Sequence, residues 1–265
     1  MSRGRAGYKI ALALVLGAAP AQAETFAMIA VPGAMVAVGD AGGGEAVRTE
    51  KVAPFTLMRT EVTNAAFARF VAATGTRTDA ERDGAGWVWN GRWRRVGGAD
   101  WRHPFGPETT IAGHDDYPVV QVSAKDAARF CAYRGLRLPT EAEWMAAAGA
   151  ADGRTYPWGE APPEDAAGRR RANFGSLACC AADDTDGFRT TAPVGRFPSG
   201  ASPFGALDMA GNVWEWTASR DAKTGEAILK GGGWGNDPWC LRLAYRHRNP
   251  PTIGLDHVGF RCAGE

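Results

Sequence analysis

The chain has 265 residues, among them 35 glycines, 16 prolines, 10 tryptophans and five cysteines, with 30 basic residues against 29 acidic ones. That near-neutral balance excludes a strong electrostatic case for nucleic acid as a partner. Turn formers and indoles are spread throughout, with no Ser/Pro-rich linker, charge block or solenoid-length repeat, which points to one domain built on turns and packed tryptophans.

Residues 1–23 read as a targeting segment. Arg3, Arg5 and Lys9 form a positive n-region, Ile10 to Leu16 a short apolar run, and Ala21-Gln-Ala23 an A-x-A cleavage site. The apolar run is too short to span a bilayer, and no later stretch is long and apolar enough. Cleavage after Ala23 leaves residues 24–265, with 27 basic against 29 acidic residues and a net charge of −2. The expected protein is periplasmic or secreted, without a membrane span.

Met28 to Val38 reads as a strand pair around Pro32-Gly33, followed by a mobile Gly-rich loop over Gly39 to Gly44 and a strand over Val52 to Met58. Thr63 is placed to cap a helix running to about Ala73, with Phe67, Phe70 and Val71 on one face and Gly75 as its stop. From Asp83 to Pro107 the periodicity is poor and four tryptophans are interleaved with Gly and Arg, which predicts a long ordered loop with short strands. Ser123-Ala-Lys-Asp126 and Thr140-Glu-Ala-Glu143 are capping boxes, opening helices to Tyr133 and to about Ala148, the second with Trp144 inward. Leu136 to Leu138 reads as a strand stopped by Pro139. In Gly205 to Thr217 a Gly211-Asn212 turn precedes an extended segment with Trp214 and Trp216 on one side and Glu215 on the other. The fold class is α+β with few helices, short strands and much irregular structure.

Eight phrases stand in order: Thr60-Glu-Val-Thr-Asn64, Asp100-Trp-Arg-His-Pro104, Tyr117-Pro-Val-Val-Gln-Val-Ser123, Arg137-Leu-Pro-Thr-Glu-Ala-Glu-Trp144, Tyr156-Pro-Trp-Gly159, Gly205 to Thr217, Lys230-Gly-Gly-Gly233 and Gly259-Phe-Arg-Cys262. Together they resemble the formylglycine-generating enzyme, or sulfatase-modifying factor, family over about residues 27 to 263. The resemblance implies that family's duplicated, C-type-lectin-like α+β domain. It leaves the activity open, since the family spans formylglycine generators, sulfoxide synthases, the pyoverdine-maturation protein PvdO and accessory factors.

Formylglycine generators hold copper(I) between two cysteines just after a Gly-Gly-Ser. The matching stretch here, Lys230 to Arg242, has only Cys240; Asn236 falls near the first cysteine position and Gly233 at the serine. A single thiolate cannot supply a linear bis-thiolate site. The resemblance implies a Cys131–Cys262 disulfide. For Cys179, Cys180 and Cys240, either one of the vicinal pair bonds Cys240, or the three make a soft-metal or redox site for copper or iron. The sulfoxide synthases draw their iron histidines from a separate helical domain that this chain lacks. His103 and His114 flank one loop and could meet His247 in space.

The resemblance also implies structural calcium at Asn173, Phe174, Asp186 and Phe188, and a second ion at Asn212, Val213 and Glu215; the bland alternative is an Asx-turn with solvated acids. Arg242, Arg246 and Arg248 alternate along a predicted strand that borders the family's substrate groove. They suit a carboxylate or peptide, with salt bridges to Glu141, Glu143 or Asp186 as the competitor. The candidate site is therefore a groove floored by Trp214, Trp216 and Trp234 and rimmed by Asn236, Cys240, Arg242 and Arg246. Its expected occupant is a peptide or protein substrate, handled by an oxidative tailoring or maturation factor similar to PvdO. The alternatives are a non-catalytic binding module and true formylglycine generation.

Overall fold

A computed structural model describes residue 1, residues 26–176, residue 181 and residues 183–265. The targeting segment, Cys179 and Cys180 lie outside the described residues, apart from Met1. Among the described residues no helix is long and apolar enough to cross a membrane.

Strands β1 (Met28–Val31) and β2 (Ala34–Val38) flank Pro32-Gly33, but they do not pair with each other. β2 pairs with β3 (Arg48–Val52), while β1 pairs with β4 (Phe55–Met58). The single strand expected over Val52 to Met58 is thus two, because Pro54 cannot donate to a ladder and the chain changes sheet there. The loop at Gly39 to Gly44 holds a short 3-10 turn, over which the Asp40 carboxylate meets Arg242 Nη2 at 3.3 Å.

Helix α1 (Asn64–Thr74) is capped by Thr63, which accepts from Ala66 N, and stops at Gly75 with φ 65°. Helix α2 (Asp79–Asp83) was not expected, although Thr78-Asp-Ala-Glu81 is itself a capping box. Its five residues are too few to show an apolar period. Next come the hairpin β5 (Ala85–Trp89) and β6 (Trp93–Gly97), then α3 (Ala124–Tyr133) and α4 (Glu141–Ala148) on the two expected capping boxes. Leu136 to Leu138 makes only one bridge, Arg137 to Ala263.

Strands β7 (Trp214–Arg220), β8 (Ala227–Lys230), β9 (His247–Asn249) and β10 (Val258–Gly259) form a sheet in the order β10-β7-β8-β9. β11 (Ala263–Gly264) joins β4, so the C-terminus closes the sheet that the N-terminus opens. Phe70, Trp101, Phe130 and Phe260 pack edge and face around Phe67, and the expected Cys131–Cys262 disulfide lies within this cluster. A second cluster surrounds Trp144.

Between the two clusters Arg261, fully buried, clasps Glu215 through Nε and Nη2 at 2.7 Å each. It also donates to the Leu207, Arg59 and Met58 carbonyls. Trp144 Nε1 donates to the same carboxylate at 2.9 Å. Removing one member strands the other in low dielectric, so Arg261→Met is expected to cost about 3–5 kcal/mol. Urea unfolding at neutral pH reads this, and a loss below about 1 kcal/mol would overturn it.

Candidate functional site

The loop that follows β8 turns through Gly231 and Gly232, both at positive φ. A Cβ on Gly232 would stand 2.8 Å from Leu241 Cδ2, so the return of the chain over itself requires glycine. Asn236 closes this loop: its Oδ1 accepts from Gly233 N at 2.9 Å, and its own N donates to Gly233 O. The residue at the expected first-cysteine position is therefore a backbone clamp. Cys240 is buried, with its backbone N donating to Asp237 O and Oδ1. Among the described residues no three His, Cys, Asp or Glu side chains converge as a metal-ligand set. With Asn236 so committed, the described donors do not fit a copper(I) bis-thiolate.

Beside this loop the chain builds two adjoining clefts that share Trp93. A narrow crevice is lined by Trp89, Trp93, Trp234, Asn236 and His257. A cleft of about 200 Å³ is lined by Trp87, Trp93, His247, Asn249, Ile253 and Leu255. The β5–β6 hairpin carries the three indoles of the outer wall. Trp87 N donates to Gly254 O, and Trp89 N donates to Asp256 Oδ2 at 2.8 Å. His257 stacks on Trp93 at 4.7 Å, with its Nδ1 3.2 Å from Asp256 Oδ1. His247 lies 5.2 Å from the Trp214 ring. Burial, with His257 and Arg248 nearby, lowers its pKa to about 4, so it is neutral at physiological pH. Two buried donors in these walls have no partner: Trp234 Nε1 and Asn249 Nδ2. A buried unsatisfied donor is costly, and at a cleft the group that relieves it is an incoming acceptor.

Several expected site residues lie elsewhere. Trp214 and Trp216 are core side chains, 2% and 0% exposed, and Trp216 Nε1 donates to Val122 O. Only Trp234 of the predicted floor reaches a cleft. β9 covers only His247–Asn249, so residues 242–246 are irregular chain with a turn at 243–244, and the arginines do not share a strand face. Arg242 pairs with Asp40 and stacks on Trp239; Arg246 bridges Glu45 and Glu141; Arg248 bridges Glu45 and Asp221. Salt bridging thus replaces the expected substrate role of Arg242 and Arg246, and Glu141 is the one acid of the three named competitors that takes part. His103 sits on Asp100 and His114 against Tyr117, so neither meets His247; His257, which the spacing did not single out, is the histidine close enough to depress it.

The two expected calcium clusters differ. At the first, Asn173 Nδ2 donates to Thr190 O and to Asn212 Oδ1, while its Oδ1 is buried without a partner. Asp186 Oδ1 accepts from Phe188 N, and Asp186 Oδ2 is likewise buried and unpartnered. Arg170 Nη1 donates to the Phe174 carbonyl at 2.7 Å and stands 3.8 Å from Asp186 Oδ2, so these two oxygens face one guanidinium nitrogen. Two orphaned hard acceptors fit an oxygen-seeking cation. At the second cluster Asn212 Oδ1 already accepts from Ala192 N and Asn173, and both Glu215 oxygens serve Arg261. Beside the buried Val213, a guanidinium therefore takes the cation's place, which corrects the expectation of calcium on Asn212 and Glu215.

Next to that network lies a carboxyl pair, Glu61 and Asp208, both buried, with Glu61 Oε2 lacking any donor among the described groups. Asn212 Nδ2 donates to Glu61 Oε1, and Gly195 N donates to Asp208 Oδ2. Burial raises both pKa values, that of Glu61 well above the usual carboxylate range, with the charges of Asp208 and Glu215 adding to the shift of Glu61 and that of Glu215 to the shift of Asp208. The folded protein thus keeps a proton that the unfolded chain releases. The stability tied to that proton is complete below the ordinary carboxylate pKa and is lost as pH rises through the raised folded value. Glu61→Gln is expected to melt about 2–4 °C above wild type at pH 8 and alongside it at pH 4. Thermal scans over that range would refute the shared proton if wild type were the more stable at pH 8.

The sulfatase-modifying factor enzyme 1-like domain family matches residues 15–265. The chain is 38% identical to the formylglycine-generating enzyme of Thermomonospora curvata over 90% of this chain and 93% of that protein. It is 35% identical to the inactive C-alpha-formylglycine-generating enzyme 2 of Bos taurus, over 91% of this chain and 88% of the relative. The structure of PvdO from Pseudomonas aeruginosa superposes with a TM-score of 0.66 at 25% identity, covering 90% of this chain and 94% of that one.

Proposed function

The chain belongs to the sulfatase-modifying factor family, and on that premise we propose that it is an exported oxidative tailoring or maturation factor that receives a peptide or protein substrate in the tryptophan-walled clefts. One observation carries the reading: Trp234 Nε1 and Asn249 Nδ2 are buried donors without partners in the walls of adjoining clefts. Peptide carbonyls are the acceptors that such a wall satisfies while their side chains cover the indoles. The neutral His247 and the His257–Asp256 pair give the same site a proton acceptor and a positioned imidazole. Export is supported by the n-region, apolar run and cleavage site of residues 1–23, and by a disulfide, which persists in oxidising compartments.

A second reading, a binding or accessory module, is favoured by Asn236. It stands at the expected first-cysteine position with its side chain committed to the loop, and the family includes an inactive relative. The two readings separate on one experiment. Signal-free protein made in a periplasm is screened against an array of random decapeptides, and hits are tested for oxygen uptake. Binding that falls at least tenfold in both Trp234→Ala and Asn249→Leu, with oxygen consumed, supports tailoring. The same binding without turnover supports the module, and binding that ignores both substitutions sinks the groove assignment.

Calcium at Asn173, Phe174, Asp186 and Phe188 belongs to the same proposal, as a staple for loops that lack a sheet ladder. The ion would displace Arg170 from Asp186 and use the two orphaned oxygens. A site held near 100 times its dissociation constant adds about 2.7 kcal/mol, a melting shift of roughly 5 °C or more. Chelation with EGTA is expected to lower wild type by that amount and to leave Asp186→Ala unmoved; equal shifts in both would place the ion elsewhere.

A further inference from the structure

A further cleft of about 400 Å³ adjoins neither Trp234 nor Asn249. It opens on the other side of Asp256, between the start of α1, the loop at residues 104–120 and the segment 187–191. Its floor is apolar, with Phe105, Ile111 and Val120. Asn64, 4% exposed, stands in its wall, and Asn64 Oδ1 is buried without a hydrogen-bond partner. The amide cannot be turned to hide that oxygen. Nδ2 donates to His114 O at 2.9 Å, and a flip would set oxygen against oxygen there. The start of α1 does not use the oxygen either: Asn64 N donates to Tyr117 O, Ala65 N to Asp115 O and Ala66 N to Thr63 Oγ1. The atom left for an occupant is an acceptor, and Asp256 adds a carboxylate residue to the same wall. At the rim is Arg189, exposed and without an ion-pair partner among the described residues.

We propose that this cleft is a second binding site, for a zwitterionic α-amino-acid-type ligand with an apolar side chain. The ligand's ammonium meets Asn64 Oδ1 on the Asp256 side, its side chain covers Phe105, Ile111 and Val120, and its carboxylate meets Arg189. The arrangement is the complement of the tryptophan-walled clefts, where the unpaired groups are donors. A free amino acid presents ammonium and carboxylate on one carbon; a peptide terminus presents only one of them.

The test uses the signal-free, disulfide-bonded protein and titration calorimetry with L-phenylalanine, L-phenylalaninamide and N-acetyl-L-phenylalanine. Phenylalanine is expected to bind saturably and at least tenfold tighter than either analogue. Arg189→Gln, an exposed substitution, should bring phenylalanine down to the level of its amide. Ile111→Trp, which fills the cleft from a half-buried position, should abolish binding of all three, while Trp234→Ala should leave them unchanged. The proposal is overturned if phenylalanine fails to bind, if the amide or the acetylated form binds as tightly, or if binding survives Ile111→Trp or disappears with Trp234→Ala. Equal melting temperatures of Ile111→Trp and wild type confirm that a loss is local.

Discussion

A single buried ion pair organises this protein. Arg261 and Glu215 have no water to share, so the guanidinium must spend its remaining protons on carbonyls, and the ones it finds belong to Met58, Arg59 and Leu207. Those residues come from the end of β4 and from the loop before β7, and Trp144 adds α4 by donating to Glu215. The end of β4, the loop before β7, β7 itself and α4 are thereby registered on one ion pair. Coulomb attraction alone gives little net stability once desolvation is counted; the hydrogen bonds that surround the pair are what make its burial tolerable. The pair also explains its neighbours. With Glu215 neutralised by Arg261, Glu61 and Asp208 have no cation of their own, and holding a proton between them is the remaining way to bury them.

The same logic runs through a fold with little regular structure. Sheet ladders are short, so buried polar side chains do the tying that strands do elsewhere. Gln121, at φ 58°, donates to the Trp87 and Pro104 carbonyls and so fastens the β5–β6 hairpin to the loop behind it. Gly254 lets the chain pass against it: a Cβ there would stand 2.6 Å from Gln121 O. Trp87 and Trp89 are therefore anchored through backbone, Trp93 through its stack on His257, and the rings form the cleft walls.

What was legible in the sequence follows from the range of each signal. Helix caps are local, so α1, from its N-cap at Thr63, and α3 and α4, from their capping boxes, could be placed within a residue or so, and α2 carried a capping box at Thr78 and Glu81. Strand pairing is not local: nothing near Pro32-Gly33 says that β1 and β2 will join different sheets. The Cys131–Cys262 bond came through the family resemblance. The groove was misread in part because its residues were assigned from a strand pattern. Trp214 and Trp216 do lie on a strand, but both faces of β7 are buried at that point. Arg242 and Arg246 lie on irregular chain, where alternation has no meaning, and partners about 200 residues earlier, Asp40 and Glu45, claim them. Asn249 and Trp234 stand out only once burial is known, because an unsatisfied donor is a property of the packed chain.

The position of Asp256 shows how much chemistry the loops can divide between them. Its Oδ2 holds Trp89 N and so the outer wall of one cleft; its Oδ1 faces His257, which stacks on Trp93 in that wall; and its residue borders the large cleft on the other side. Asp256 is fully buried, so a movement of the hairpin that broke the Trp89 contact would leave a carboxylate oxygen without a donor in low dielectric. That cost holds the hairpin in place. Both oxygens of Asp256, which borders the large cleft and backs the tryptophan-walled ones, are thus engaged, and each side keeps its own unpaired groups, donors on one side and an acceptor on the other. A family whose members differ in chemistry on a common fold needs such partitions, since they let one cleft change its occupant without disturbing its neighbour.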